Sequence, residues 1–170
     1  MRYLSLAATL ATSMLCFPAF ANDDSMIVTL KADQIGQIFC LSRTGNDEGV
    51  IDGILSDGLK AAIADAETKN AAWETANPGD KPPLGDGIPW QAYPDYASEC
   101  TVGLVTLMKT DARVEIKYGF PESPDAGFTD TLQLKKIDMP DYGTGFWRID
   151  NIAYATGSDL KADLTAAFAP

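Results

Sequence analysis

Between residues 75 and 99 the chain carries Pro78, Pro82, Pro83, Pro89 and Pro94, together with Gly79, Gly85 and Gly87. Proline has no amide hydrogen to donate and fixes φ, so neither a helix interior nor a central strand can form across this stretch. The segment splits the chain into two parts with different hydrophobic periods. Ahead of it the spacing is helical. Ile35, Ile38 and Phe39, with Cys40 and Leu41 nearby, predict a first helix over 31–43, broken by the loop-forming run from Arg43 to Gly49. Ile51, Leu55, Leu59, Ile63 and Ala66 then recur at spacings near four. Gly53 and Gly58 each cost about 1 kcal/mol relative to alanine in a helix. Two helices with a joint near Ser56-Asp57-Gly58 are therefore expected, with Ser56 as N-cap of the second and an end around 69–73.

Behind the segment the period drops to two. Val102, Leu104, Thr106 and Met108 alternate with Thr101, Gly103, Val105 and Leu107 in a mostly apolar strand. Val114, Ile116, Tyr118 and Phe120 alternate with Arg113, Glu115 and Lys117, giving one dry and one wet face. The short link from Lys109 to Ala112 makes these two a hairpin. Residues 129–138 and 146–154 supply a third and a fourth strand. In the last, Trp147 and Ile149 lie on one parity, and Ile152 and Tyr154 on the other. A single register cannot bury all four, so a bulge near Asp150-Asn151 is expected, which would bend the sheet. Ser158 is read as the N-cap of a short terminal helix whose Leu160, Leu164 and Phe168 share a face. Helices segregated from a consecutive antiparallel meander define an α+β fold: N-terminal helices on a curved antiparallel sheet of about four strands, with a short C-terminal helix.

The N-terminus reads as a secretory signal over residues 1–21. Arg2 is the basic n-region, an uncharged apolar run follows from Leu4 to Phe20, and Ala19-Phe20-Ala21 is a small-x-small cleavage pattern. A membrane-spanning helix needs about 20 predominantly apolar residues; this run is shorter, is interrupted by Ser and Thr, and meets Pro18 near the cleavage site. A lipoprotein signal would place a small residue before the modified cysteine, whereas Leu15 precedes Cys16. Residues 22–170 are then one domain, periplasmic or secreted after cleavage at Ala21. No stable membrane insertion is expected once the signal is removed.

Those residues keep 12 basic side chains against 24 acidic ones, a net charge of −12. Such a surface repels phosphate backbones and anionic headgroups, so nucleic acid is not an expected partner. Cys40 and Cys100 are the two cysteines left after cleavage, and an even count in an exported protein reads as a disulfide. No histidine accompanies them, which makes a transition-metal site a poor fit. The bridge would staple the first helix to the first strand.

The N-terminal helices, the curved sheet and the strand from Phe146 to Tyr154 resemble the cystatin-like cone fold of nuclear transport factor 2 relatives. They look more narrowly like a group of exported bacterial proteins of that fold with unassigned function. The resemblance is strongest in the last strand and the helix from Leu160 to Leu164, extends loosely over 31–168, and includes the run Leu84-Gly85-Asp86-Gly87-Ile88-Pro89-Trp90. It implies a fold and no activity, because proteins of this fold include isomerases, dehydratases, ligand binders and interaction modules. Enzymes of the fold often use a His–Asp pair, and this chain has no histidine.

No catalytic set emerges. There is no Gly-x-Ser-x-Gly motif, no histidine to activate a nucleophile, and no phosphate-binding glycine loop. Asp150, within an apolar strand beside Arg148, is the best single acid–base candidate; otherwise it is a structural carboxylate accepting backbone amides at the bulge. Asn46, Glu48, Asp52 and Asp57, or Asp80 and Asp86, offer oxygen ligands without EF-hand spacing, so no metal site is assigned. Trp90, Tyr93 and Tyr96, with Asp86 and Asp95 around them, could form an aromatic rim over the mouth of the cone, or could anchor the long loop. The sequence therefore predicts a non-catalytic binding or interaction protein with no cofactor. Asp86, Trp90, Tyr93, Tyr96, Arg148 and Asp150 are its candidate binding residues, and its partner is a protein or small molecule, basic ones included. Two other readings stay open: a histidine-free pocket enzyme with Asp150 or Tyr118 lining the cone, and an inhibitor or immunity protein for a basic toxin.

Overall fold

The computed structural model describes residues 29–45, 49–85, 87–142 and 144–169. The expected signal at 1–21 and its cleavage site lie outside the described residues. The elements run α1 (Ala32–Gly45), α2 (Gly49–Asp52), α3 (Asp57–Ala76), β1 (Glu99–Leu107), β2 (Asp111–Gly119), β3 (Phe128–Met139), β4 (Thr144–Ala153) and α4 (Leu160–Ala166). Short 3-10 turns at Pro124–Ala126 and Pro140–Tyr142 lie in the last two strand connections. The four strands pair antiparallel in sequence order into one curved, unclosed sheet. This is the α+β arrangement that the change of period implied.

One core fills the concave side. Ala112, Val114, Ile116 and Tyr118 of β2, Leu132 and Leu134 of β3, and Ile149 and Ile152 of β4 are all buried there. Ile35 and Phe39 of α1, Ile51, Leu59 and Leu160 meet them, each with no exposed surface. The closeness of α1 to the sheet depends on Gly36. A Cβ at that position would stand 2.8 Å from Val114 Cγ1 and 2.9 Å from Val102 Cγ2. Four residues further on, Cys40 is bonded to Cys100 of β1, with the two Cα atoms 5.2 Å apart. Helix and sheet are thus joined covalently one turn from a point where no side chain would fit between them.

The phase conflict in β4 is resolved by the expected bulge. Leu134 of β3 faces Ile149 and Gln133 faces Asn151, which leaves Asp150 as the extra residue. The inward parity changes there, so Ile149 and Ile152 are both fully buried. The outer edge of β4 at the bulge is covered by the joint between α2 and α3. Ile149 N–H donates to the Ile54 carbonyl at 2.8 Å, and Ser56 N–H donates to the Ile149 carbonyl at 2.8 Å. A strand edge with satisfied amides cannot recruit another strand.

Several boundaries and caps differ from expectation. α3 continues to Ala76, because Asn77 closes it with both its backbone N–H and its side-chain amide on the Trp73 carbonyl. β1 begins at Glu99, so the irregular segment is 77–98. Ser56 caps α3 as expected, its Oγ accepting Leu59 N–H at 3.1 Å. The cap of α4 is Asp159 rather than Ser158: its carboxylate accepts Ala162 N–H at 2.9 Å, while the Ser158 hydroxyl turns to Asp163. The apolar reading of β1 holds for its inner side only. It is an edge strand with a register shift between Val102 and Val105, and Leu104 and Leu107 are each 65% exposed. Leu41, expected near the buried stripe of the first helix, is likewise exposed.

Candidate functional site

The proline-rich segment is held down by buried polar groups that sequence periodicity did not single out. Asp130 of β3 has no exposed surface. Its Oδ2 accepts Ala92 N–H and its Oδ1 accepts Ala155 N–H, both at 2.9 Å. One carboxylate therefore ties the loop ahead of β1 and the turn after β4 to the sheet between them. Burial raises its pKa, against the pull of the two amide donors. Gln91, also buried, donates from Nε2 to the carbonyls of Tyr93 and Asp95, which fixes a tight turn between them. Its Oε1 faces Arg43 Nη2 at the hydrogen-bond limit of 3.5 Å. Tyr154 donates its hydroxyl to the Pro89 carbonyl. A loop with its backbone groups so engaged is fixed in shape despite its prolines.

This framework sorts the expected rim residues. Trp90 is 6% exposed and belongs to the core, so it anchors the loop. Tyr93 and Tyr96 are 46% and 60% exposed and stand at the surface. Asp86 lies outside the described residues. Tyr93 packs edge-on against Phe128 with ring centroids 4.9 Å apart, and Phe128 stacks at 4.6 Å on the buried Tyr118. Phe120 lies 6.3 Å from Phe128. The rings thus form a continuous aromatic path from the core outward. Tyr118 has a buried hydroxyl without a hydrogen-bond partner among the described residues. Burial first, and the nearby Asp130 charge second, raise its pKa beyond the ordinary tyrosine range.

Between the Tyr93–Tyr96 turn and the connection from β2 to β3 lies an open cleft of about 720 Å³. Tyr93, Tyr96, Phe120 and Phe128 supply its apolar walls, and Asp95, Glu122 and Asp125 its polar rim. Among the described residues no lysine or arginine lines it. On the other side of the turn, the Arg43 guanidinium sits 5.0 Å from the centre of the Tyr96 ring. Arg43 and Lys81 line a second, smaller cleft of about 340 Å³ there, with Trp90 and Gln91.

The other two candidates are elsewhere. Asp150 bulges opposite Gln133 and Leu134, five to six residues along β3 from Phe128, or roughly 18 Å at the rise of an extended strand. It accepts the Ser56 hydroxyl at 2.6 Å and Lys161 Nζ at 2.9 Å. Burial alone would raise its pKa, but the Ser56 and Lys161 hydrogen bonds and the charges of Lys161 and Lys135 hold it below the ordinary carboxylate value. Its donors are the Ser56 and Lys161 side chains and not the backbone amides expected at the bulge. Arg148 does not pair with it: the guanidinium stacks 4.2 Å from the Phe146 ring centre and donates to the Trp147 carbonyl. The sequence therefore combined the start of β3 and the middle of the β3–β4 pairing in one set of binding residues, and the fold separates them.

The concave face, where Asp150 or Tyr118 was to line an open pocket, is occupied by apolar side chains. Asp150 instead lies in a shallow depression among Asp111, Arg113 and Lys135. Among the described residues no group of three or more acids or cysteines could hold a metal ion, and no helix is long and apolar enough to cross a membrane. Arg43, Gln91, Phe120, Phe128 and Asp130 were not picked out from sequence. For Asp130 a signal existed, since it shares the parity of Leu132 and Leu134 on a strand with one buried face.

Fold and cleft together define a disulfide-linked α+β protein with a packed interior and an acidic, aromatic cleft at one end of its sheet. No family model matches the chain, and neither a curated protein nor a solved structure is detectably similar to it.

Proposed function

We propose that this chain is an exported periplasmic protein of the cystatin-like type that acts by binding, without catalysis, through the cleft between the Tyr93–Tyr96 turn and the Phe120–Phe128 connection. The observation that carries this reading is the exposure of Tyr93 and Tyr96 on a loop whose backbone is fixed by Asp130 and Gln91. Exposed rings on a rigid frame lose little entropy on contact with a partner, which is why tyrosine suits binding surfaces. The sheet interior is filled by apolar side chains, so contact at the rim is the more accessible mode. Export is supported by the N-terminal pattern and agrees with the Cys40–Cys100 bond, since such bonds persist outside the reducing cytoplasm.

A thermal-shift screen of small molecules and periplasmic fractions tests the reading, with Tyr96→Ala run in parallel. Ligands that raise the melting temperature of the wild type and not of Tyr96→Ala are the expected outcome. Turnover of a substrate panel with no stabilising ligand would overturn it. For export, mass spectrometry of the protein from its producing cell should find a mature N-terminus at Asn22; an intact Met1 would remove that part.

A further inference from the structure

The binding reading leaves the partner's chemistry open, and the cleft itself narrows it. Its walls are four aromatic rings, Tyr93, Tyr96, Phe120 and Phe128, and its rim carries Asp95, Glu122 and Asp125, all three exposed. Aromatic faces carry negative quadrupole potential, and carboxylates add full negative charge. Among the described residues no basic side chain lines the cleft itself, and Arg43 reaches the Tyr96 ring from the neighbouring smaller cleft. The chain has already placed guanidinium groups on such rings, with Arg43 over Tyr96 and Arg148 over Phe146. Resting on the binding reading, we propose that this cleft is a docking site for an arginine-bearing segment of a partner protein, with guanidinium on the ring faces and at the carboxylate rim.

A protein segment fits better than a free small cation. The cleft, at about 720 Å³, is far larger than one guanidinium or ammonium group needs, and it opens along the surface between two chain segments. Tyr93 and Tyr96 are 46% and 60% exposed, so a lone cation would leave much of the apolar wall wet. A peptide backbone with an alternating apolar and basic sequence covers both kinds of surface at once.

The test uses a fluorescein-labelled peptide with three arginines interleaved with leucine, followed by anisotropy at physiological salt. The wild type should bind it, and free arginine and spermidine should compete only weakly. Asp95→Asn, Glu122→Gln and Asp125→Asn combined should weaken binding at least ten-fold. A control removing three exposed acids away from the cleft, Glu67→Gln, Asp80→Asn and Asp138→Asn, should change it less than three-fold. Tyr93→Leu, which keeps apolar bulk and loses the ring, should cost about five-fold. The carboxamide variants alter exposed side chains only, so they keep the test valid if Tyr93→Leu fails to fold.

Equal weakening by the two triple variants would reduce the attraction to overall charge and overturn the site. Competition by free arginine or spermidine at the peptide's own affinity would overturn the protein partner in favour of a small cation. If no cationic probe binds while another ligand still stabilises the wild type, this inference fails and the binding reading stands. Failure of both assays removes the two together.

Discussion

The hydroxyl of Ser56 donates to Asp150 at 2.6 Å and accepts Leu59 N–H at 3.1 Å, so one side chain both caps α3 and closes the bulge of β4. The helix start and the strand irregularity were separate features in the sequence, 94 residues apart. In the fold they are one joint, reinforced by Lys161 of α4 on the second carboxylate oxygen at 2.9 Å.

Ser56→Ala should therefore cost more than an isolated cap, about 2 kcal/mol against the usual value near 1. Asp150→Asn keeps the shape and removes the charge. Its cost should be about 1 kcal/mol, held down by the partial exposure of the ion pair. Asp150 has its folded pKa below the ordinary 3.8, so its contribution is fully present above that value and lost as pH falls through the lower folded one. Urea melts of wild type and Asp150→Asn should differ at pH 7 and converge in strong acid. A gap that widens on acidification would contradict the assignment.

Asp130→Asn offers one acceptor oxygen where two amides need one each. The Ala92 or the Ala155 N–H then loses its partner in a buried site, at about 1–3 kcal/mol. Amide exchange should accelerate at Ala92 or Ala155 well before global unfolding, and residues in the centre of β2 should be unaffected. Uniform acceleration would mean that Asp130 supports the whole core and not the loop specifically.

Gly36→Ala introduces a Cβ inside the contact radius of Val102 and Val114. The two valines are anchored in paired strands and have little room to move, so overpacking should outweigh the gain in helix propensity, with a net loss of about 1–3 kcal/mol. The double variant Gly36→Ala, Val114→Ala should recover part of that loss, as denaturant melts would read out.

Replacing Cys40 and Cys100 together by serine removes a covalent link across 60 residues of sequence. The chain-entropy model gives about 4 kcal/mol for such a loop. Wild type melted with a reductant should approach the double variant, and wild type without it should not. Two free thiols in the purified native protein would overturn the pairing.

The order and type of the elements were legible in the amino-acid sequence. Local rules acting within a few residues decide them: the period of Ile51 to Ala66, the alternation of Val114 to Tyr118, the prolines that end one regime before the other begins. The bulge at Asp150 was legible for the same reason, since the parity conflict between Ile149 and Ile152 is internal to one strand. The cysteine pair followed from its count in a chain read as exported.

What the fold alone decided is which distant groups share a surface. Trp90 and Tyr93 are three residues apart and chemically alike, yet one is core and the other is rim, because Asp130 holds the intervening backbone at Ala92. Asp150 and Tyr96 looked like parts of one site and stand apart, because Asp150 sits midway along the β3–β4 pairing while the cleft of Tyr96 opens at the start of β3, at Phe128. Phe120 and Phe128 join Tyr93 in the cleft through ring contacts that no periodicity encodes. Burial and long-range pairing are properties of the packed whole, and a site built from two separate connections exists only once the sheet has brought them together.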